Sequence, residues 1–168
     1  SEDTLSLALS AGVSKENGIA GALTVFVLTG DTRAAIEGET GKITTVDAGG
    51  DVSITASGTS EINTIALGVG ASGKLAVGAA GAVNVITNTV EAEISGSTLS
   101  AGGDVSVEAT NSAIIRSLGM AVSGSGENAV AVAGQGNVVV NTVRAAITGG
   151  SMVTAVGDVT LSAEEEAP

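Results

Sequence analysis

Cysteine and histidine are absent from this chain of 168 residues. Their absence removes disulfides, thiolate nucleophiles, imidazole bases and the commonest transition-metal ligands. Tryptophan and tyrosine are missing too, and Phe26 is the sole aromatic residue, so large planar side chains cannot fill an interior. Basic residues are scarce. Six Lys and Arg against 18 Asp and Glu leave a formal net charge of −12, which argues against nucleic acid, whose phosphates need clustered positive charge. No run reaches the roughly 18–20 strongly apolar residues of a membrane-spanning helix, so no transmembrane segment is expected. The longest apolar run, Leu75 to Thr87, is alternating and rich in Gly, Ala and Val. No basic-then-apolar leader opens at Ser1, and any export signal or anchor is expected to belong to a longer parent chain.

What the chain does have is 25 Gly, abundant Val, Ile, Leu and Ala, and internal repetition. Ala48-Gly49-Gly50-Asp51-Val52-Ser53-Ile54-Thr55-Ala56 returns as Ala101-Gly102-Gly103-Asp104-Val105-Ser106-Val107-Glu108-Ala109, and again around Gly157-Asp158-Val159. Asp51, Asp104 and Asp158 mark a period of 53 to 54 residues. A second marker, Val83 to Gly96, matches Gly136 to Gly149 at offset 53. Its divergent first copy, Val25 to Gly38, sits at offset 58 because of an insertion across Glu39 to Asp47. The chain therefore reads as one repeat array over 1–168: repeats 1–56, 57–109 and 110–163, then an acidic tail at 164–168. Glu164, Glu165 and Glu166 read as a solvated tail or an inter-repeat turn.

The apolar period is two throughout, the signature of strands, and β-branched residues interrupted by Gly leave negligible helix. Leu75, Val77, Ala79, Val83 and Val85 are expected to face inward. The phase then shifts to Val90, Ala92 and Ile94, with Glu91 and Glu93 outward, which predicts a bend or bulge near Asn88 and Thr89. The alternate face carries Ala66, Gly68, Gly70, Ala76, Gly78, Ala80 and Ala82. Such small residues suit close packing of two layers inside one molecule, or a lateral self-association surface. Gly49-Gly50-Asp51, Gly102-Gly103-Asp104 and Gly157-Asp158 supply sharp turns, Gly through its access to positive φ and Asp by bonding nearby backbone. Chain redirection is also expected at Ala71-Ser72-Gly73-Lys74 and at Ser123-Gly124-Ser125-Gly126-Glu127.

Charges at equivalent positions alternate in sign: Arg33, Glu91 and Arg144 at one, Glu16, Lys74 and Glu127 at the other. Copies stacked in register favour such alternation, since opposite charges on adjacent strands attract. Asn84 with Asn137, and Asn88 with Asn141, would form amide ladders, or each Asn would simply tolerate a kinked backbone. A repeat too thin to close its own core, stacked to bury aliphatic ladders, is a β-solenoid, and a right-handed parallel β-helix is expected. Whether 53 residues make one wide coil or several narrow ones is open at this level.

The Ala-Gly-Gly-Asp-Val-Ser-Val-x-Ala pattern at 101–109, its counterparts at 48 and 156, and the Val-Asn-x-x-x-Asn-Thr-Val segment resemble repeats of filamentous haemagglutinin-type and leukotoxin-type bacterial adhesins. That resemblance implies a β-helix stalk, type V secretion or autotransport, a secreted or cell-surface location, and roles in adhesion or biofilm.

Enzymatic readings are weak. A Ser-His-Asp triad is impossible without His, and no Gly-x-Ser-x-Gly elbow is present. Glu91 and Glu93 are spaced like a glycosidase pair, but the first and third copies carry Arg33 with Ala35 and Arg144 with Ala146 instead. No cofactor is expected beyond weak calcium binding at the Gly-Gly-Asp turns, since no nonapeptide calcium array is present. Two functions remain. One is a passive stalk, continued by further repeats and carrying a distant tip toward a host or neighbouring cell. The other is a module that itself binds carbohydrate, protein or its own copies. The distinctive first copy, with Phe26, Glu39, Lys42 and Asp47, is the best place for a specific surface.

Overall fold

The computed structural model describes residues 2–39 and 42–166. Among them every regular element is a strand: β1 (Glu2–Ser14), β2 (Asn17–Glu37), β3 (Thr44–Ala48), β4 (Val52–Ser72), β5 (Leu75–Ser95), β6 (Ser97–Ala101), β7 (Val105–Ser125), β8 (Asn128–Thr148), β9 (Met152–Ala155) and β10 (Val159–Glu166). They form three parallel sheets, β1-β4-β7-β10, β2-β5-β8 and β3-β6-β9, called here the first, second and third. The chain is thus a parallel β-solenoid of about three rungs. Each repeat is one wide coil, and the middle one is made of two strands of 21 residues and one of five.

Equivalent stretches lie side by side. Val52 pairs with Val105 and Val105 with Val159 in the first sheet; Arg33 pairs with Glu91 and Glu91 with Arg144 in the second. The boundaries drawn at 56/57 and 109/110 fall inside β4 and β7, so a coil is more naturally counted from its Gly-Gly-Asp turn. The acidic tail is a correction. Glu164, Glu165 and Glu166 belong to β10 and pair with Thr110, Asn111 and Ser112, because an edge strand offers their backbone a full ladder of partners.

Each coil has two parts. Where all three sheets meet, Ile54, Ala56, Val90, Ala92, Ile94, Leu99, Ala101, Val105, Val107 and Ala109 form a buried aliphatic core of triangular section. Beyond it the third sheet ends, and the first and second sheets continue against each other as a flat two-layer fin, closed at its tip by turns such as Gly73-Lys74. The fin interior holds Ala66, Ala80 and Ala82, with Gly68, Gly70 and Gly78. A Cβ on Gly68 would lie 2.1 Å from the Ala79 carbonyl oxygen, and one on Gly78 2.6 Å from that of Val122. The layers therefore approach more closely than the usual ~10 Å between stacked sheets.

This arrangement corrects the assignment of faces. In β5 the even positions are buried from Ala76 through Ile94 without interruption, so there is no phase switch and no bulge at Asn88 and Thr89. The small residues pack two layers inside the molecule, as one of the two readings of that face had it, and what is corrected is the other face: Leu75, Val77, Val83 and Val85 point outward. Lateral self-association through the small-residue face is excluded by the same fact. The physical reason is distance: two sheets this close leave room for Ala and Gly but not for Leu or Val.

A polar layer separates triangular core from fin. Thr64 donates to Asn84 Oδ1 at 2.7 Å, Ser60 to Asn88 Oδ1 at 3.2 Å, and Asn88 Nδ2 to Asn111 Oδ1 at 3.2 Å. One expected amide ladder is present, with Asn84 Nδ2 donating to Asn137 Oδ1 at 3.0 Å. The other is corrected: Asn88 turns across the interior to Asn111, and Asn141 donates to Glu165. Across two closely spaced layers the opposite sheet offers as near a partner as the next rung does.

Candidate functional site

The Gly-Gly-Asp turns form a ladder of their own. Asp51 Oδ1 accepts the backbone N–H of Asp104 at 2.8 Å, and Asp104 Oδ1 that of Asp158 at 2.9 Å. Their glycines are required for close approach and not, as expected, for positive φ. A Cβ on Gly103 or Gly157 would fall 1.9 Å from the Asp carboxylate of the preceding coil, and one on Gly102 2.6 Å from the Gly49 carbonyl oxygen. At Gly49 and Gly50, on the first coil, nothing lies within 4 Å of that position. Positive φ occurs instead at Gly96, Gly149 and Gly150, in the corner between the second and third sheets, which sequence reasoning had not marked as a turn. Calcium at the Gly-Gly-Asp turns would compete with the N–H groups that Asp51 and Asp104 already accept. Among the described residues no group of three or more acidic side chains is placed to hold a metal ion.

The alternating charges are brought together at the base of the second sheet. Glu91 lies 3.7 Å from Arg33 and 3.8 Å from Arg144, and Glu93 lies 3.1 Å and 3.7 Å from the same two guanidinium groups. Glu37 also pairs with Arg33. Glu93, expected to be solvated, is buried, because its rung neighbours Ala35 and Ala146 are small enough for both arginines to fold over it. A hydrogen bond from the Thr148 hydroxyl, then one from Arg33, and the charge of Arg144 hold the Glu93 carboxyl below its ordinary range. Hydrogen bonds to Glu37 and Glu93 raise Arg33 in turn. Clamped between two cations, Glu91 and Glu93 are structural counter-ions. At the fin tip Lys74 lies 3.4 Å from Glu16, while no ion pair joins Lys74 to Glu127 among the described residues.

The first-copy surface does not assemble. Phe26 shares a register position with Asn84 and Asn137, points inward, and packs on Ile62, Ile86 and Ala113 with Leu28 and Ile115. Glu39 and Lys42, paired at 3.0 Å, and exposed Asp47 lie past the far end of β2, roughly 36 Å along an extended strand from Phe26. Thr40 and Gly41 of the insertion lie outside the described residues.

The feature that sequence reasoning missed is the outer surface of the fin. On the first sheet, Leu7-Ile65-Leu118 and Leu9-Leu67-Met120 form aliphatic ladders across the rungs, with Leu5, Val13 and Val122 beside them. On the second, Ile19-Val77-Val130 and Val27-Val85-Val138 do the same, on either side of a shallow depression lined by Gly21, Leu23, Ala79, Gly81 and Val132. The available signal was the two-residue period itself, which names two faces without saying which is inside.

Comparison with family models, curated proteins and solved structures gives no match to this chain.

Proposed function

We propose that the chain is a non-catalytic stalk segment of a large secreted bacterial surface adhesin, of the filamentous haemagglutinin-like kind that its repeats resemble. Further repeats would continue the array and hold a binding region away from the cell. The observation that carries this reading is the in-register stacking of whole repeats, Val52 on Val105 on Val159, so that each added copy pairs its strands with the last. Such an array lengthens by about 4.8 Å per coil, the spacing of hydrogen-bonded strands. Electron microscopy of chains carrying increasing numbers of copies should show rods of constant width that lengthen by that step. Particles whose length does not track copy number would sink the stalk reading.

One observation favours the second reading, in which the module itself associates. The triangular core alone would give the same rise per coil. The fin adds over half of each coil without adding length, and its outer faces are apolar.

A further inference from the structure

The described second-sheet face of the fin carries no charged side chain, and the first-sheet face carries one, Arg116, in the row of Leu5 and Asn63 and paired with Glu61. Residues 17–30, 75–88 and 128–141 of the second sheet contain no Asp, Glu, Lys or Arg, nor do 4–14 and 62–72 of the first, and the fin tip adds Lys15, Glu16, Lys74 and Glu127. Nearly all of the net charge of −12 therefore sits on the triangular body and around its corners. On the first-sheet face Leu5, Leu7 and Leu9 are 73%, 69% and 67% exposed, and Leu118 and Met120 are both 49% exposed. Together the large aliphatic residues of this face leave on the order of 900 Å² of accessible surface, against about 800 Å² per partner in a standard protein interface. The opposite face leaves a similar area, and each exceeds the ~300–600 Å² of the largest apolar patch on an ordinary monomer.

We propose that the occupant of these faces is a second copy of this chain, with the first-sheet face of one fin seated on the second-sheet face of the next. The two faces differ in relief. The Leu9-Leu67-Met120 row places three large side chains on the first-sheet face, while Gly21, Ala79, Gly81 and Gly134 leave the middle of the second-sheet face low, between Leu23 and Val132. Bulky rows meeting a hollow is the condition for two sheets to interdigitate. A contact between unlike faces leaves one of each kind free after every docking, so it propagates sideways and does not stop at a dimer. A lipid bilayer would also cover apolar faces, and vesicle flotation below separates that occupant from a second copy. The inference deepens the stalk reading by saying what holds one stalk beside another. It depends on that reading only for its setting, since rod length per copy tests the stalk and lateral docking does not.

Two variants test it. Leu9→Lys with Met120→Lys alters the first-sheet face; Leu23→Lys with Val132→Lys alters the second-sheet face. Lysines lower the net negative charge, so any lost association cannot come from added repulsion. All four positions are exposed, and circular dichroism with thermal melting confirms that the variants fold. In sedimentation across a concentration series the unaltered chain should grow beyond dimers, each variant alone should stay monomeric, and an equimolar mixture should stop at one-to-one dimers. A monomeric unaltered chain overturns the proposal. So does association surviving in either variant, which would assign it to like faces or to open strand edges. Flotation of a monomeric chain with phosphatidylcholine vesicles would give the faces to lipid and overturn it as well.

Discussion

A carboxylate between two arginines behaves differently from one in water, and Glu93 shows the consequence at the scale of a residue. Its depressed folded-state pKa means that it stabilises the fold at neutral pH. That contribution is fully present above the unfolded value of about 4.3 and disappears as pH falls through the lower folded value. Glu93→Gln keeps the shape but removes the charge, leaving Arg33 and Arg144 with weaker partners. The variant should lose about 1 kcal/mol at pH 7, the scale of a typical net hydrogen bond, and the gap from the parent should close in strong acid. Urea unfolding at several pH values measures this, and a gap that does not narrow below pH ~4 would contradict the assignment. The alternation of Arg33, Glu91 and Arg144 was legible from the repeat offset alone. The burial of Glu93 was not: the offset named Ala35 and Ala146 as its neighbours, but the folding of both guanidinium groups over it is a matter of side-chain geometry.

Within a single strand, the choice of inner face is made by what stands opposite. The even positions of β5 hold Ala76, Gly78, Ala80 and Ala82, and the odd ones Leu75, Val77, Val83 and Val85; hydrophobicity alone favours burying the second set. The closely spaced fin buries the first. Near the triangular core three sheets leave a wider space, and the same phase of the same strand delivers Val90, Ala92 and Ile94 to it. The apparent phase switch is thus a change in interior width along one straight strand. Gly68→Ala should expose this directly. Its Cβ would fall 2.1 Å from the backbone oxygen of Ala79, so the sheets must part, at a cost of about 1–3 kcal/mol. Gly134→Ala, whose Cβ meets nothing within 4 Å, should stay within about 0.5 kcal/mol of the parent. Equal effects in thermal melts of the two variants would mean that the layers are not closely packed.

For the whole molecule, body and fin pull in opposite directions. The net charge of −12 repels a second copy, while the apolar fin faces would attract one in the proposed docking. Raising ionic strength from 0.01 M to 1 M shortens the screening length from about 30 Å to about 3 Å, and should therefore strengthen association between copies. Light scattering across that range checks the prediction; an unchanged or reduced mass at high salt would point to contacts held by charge.

The sequence alone determined the class of fold. Period-two alternation, offsets of 53 to 58 residues and near-total lack of helix-forming stripes required strands stacked copy on copy, since register follows from identity between repeats. It also carried the Asp51, Asp104 and Asp158 turns, the clamping of Glu91 between Arg33 and Arg144, and the pairing of Lys74 with Glu16. Only the tertiary structure decided that each repeat is a single wide coil, that the Ala and Gly face packs inside the molecule and not against a neighbour, and that the fin's Leu, Ile and Val face outward. The physical reason is that a strand's pattern specifies two faces symmetrically. Which face is inside depends on the distance to the opposing layer, and that distance is a property of two strands together.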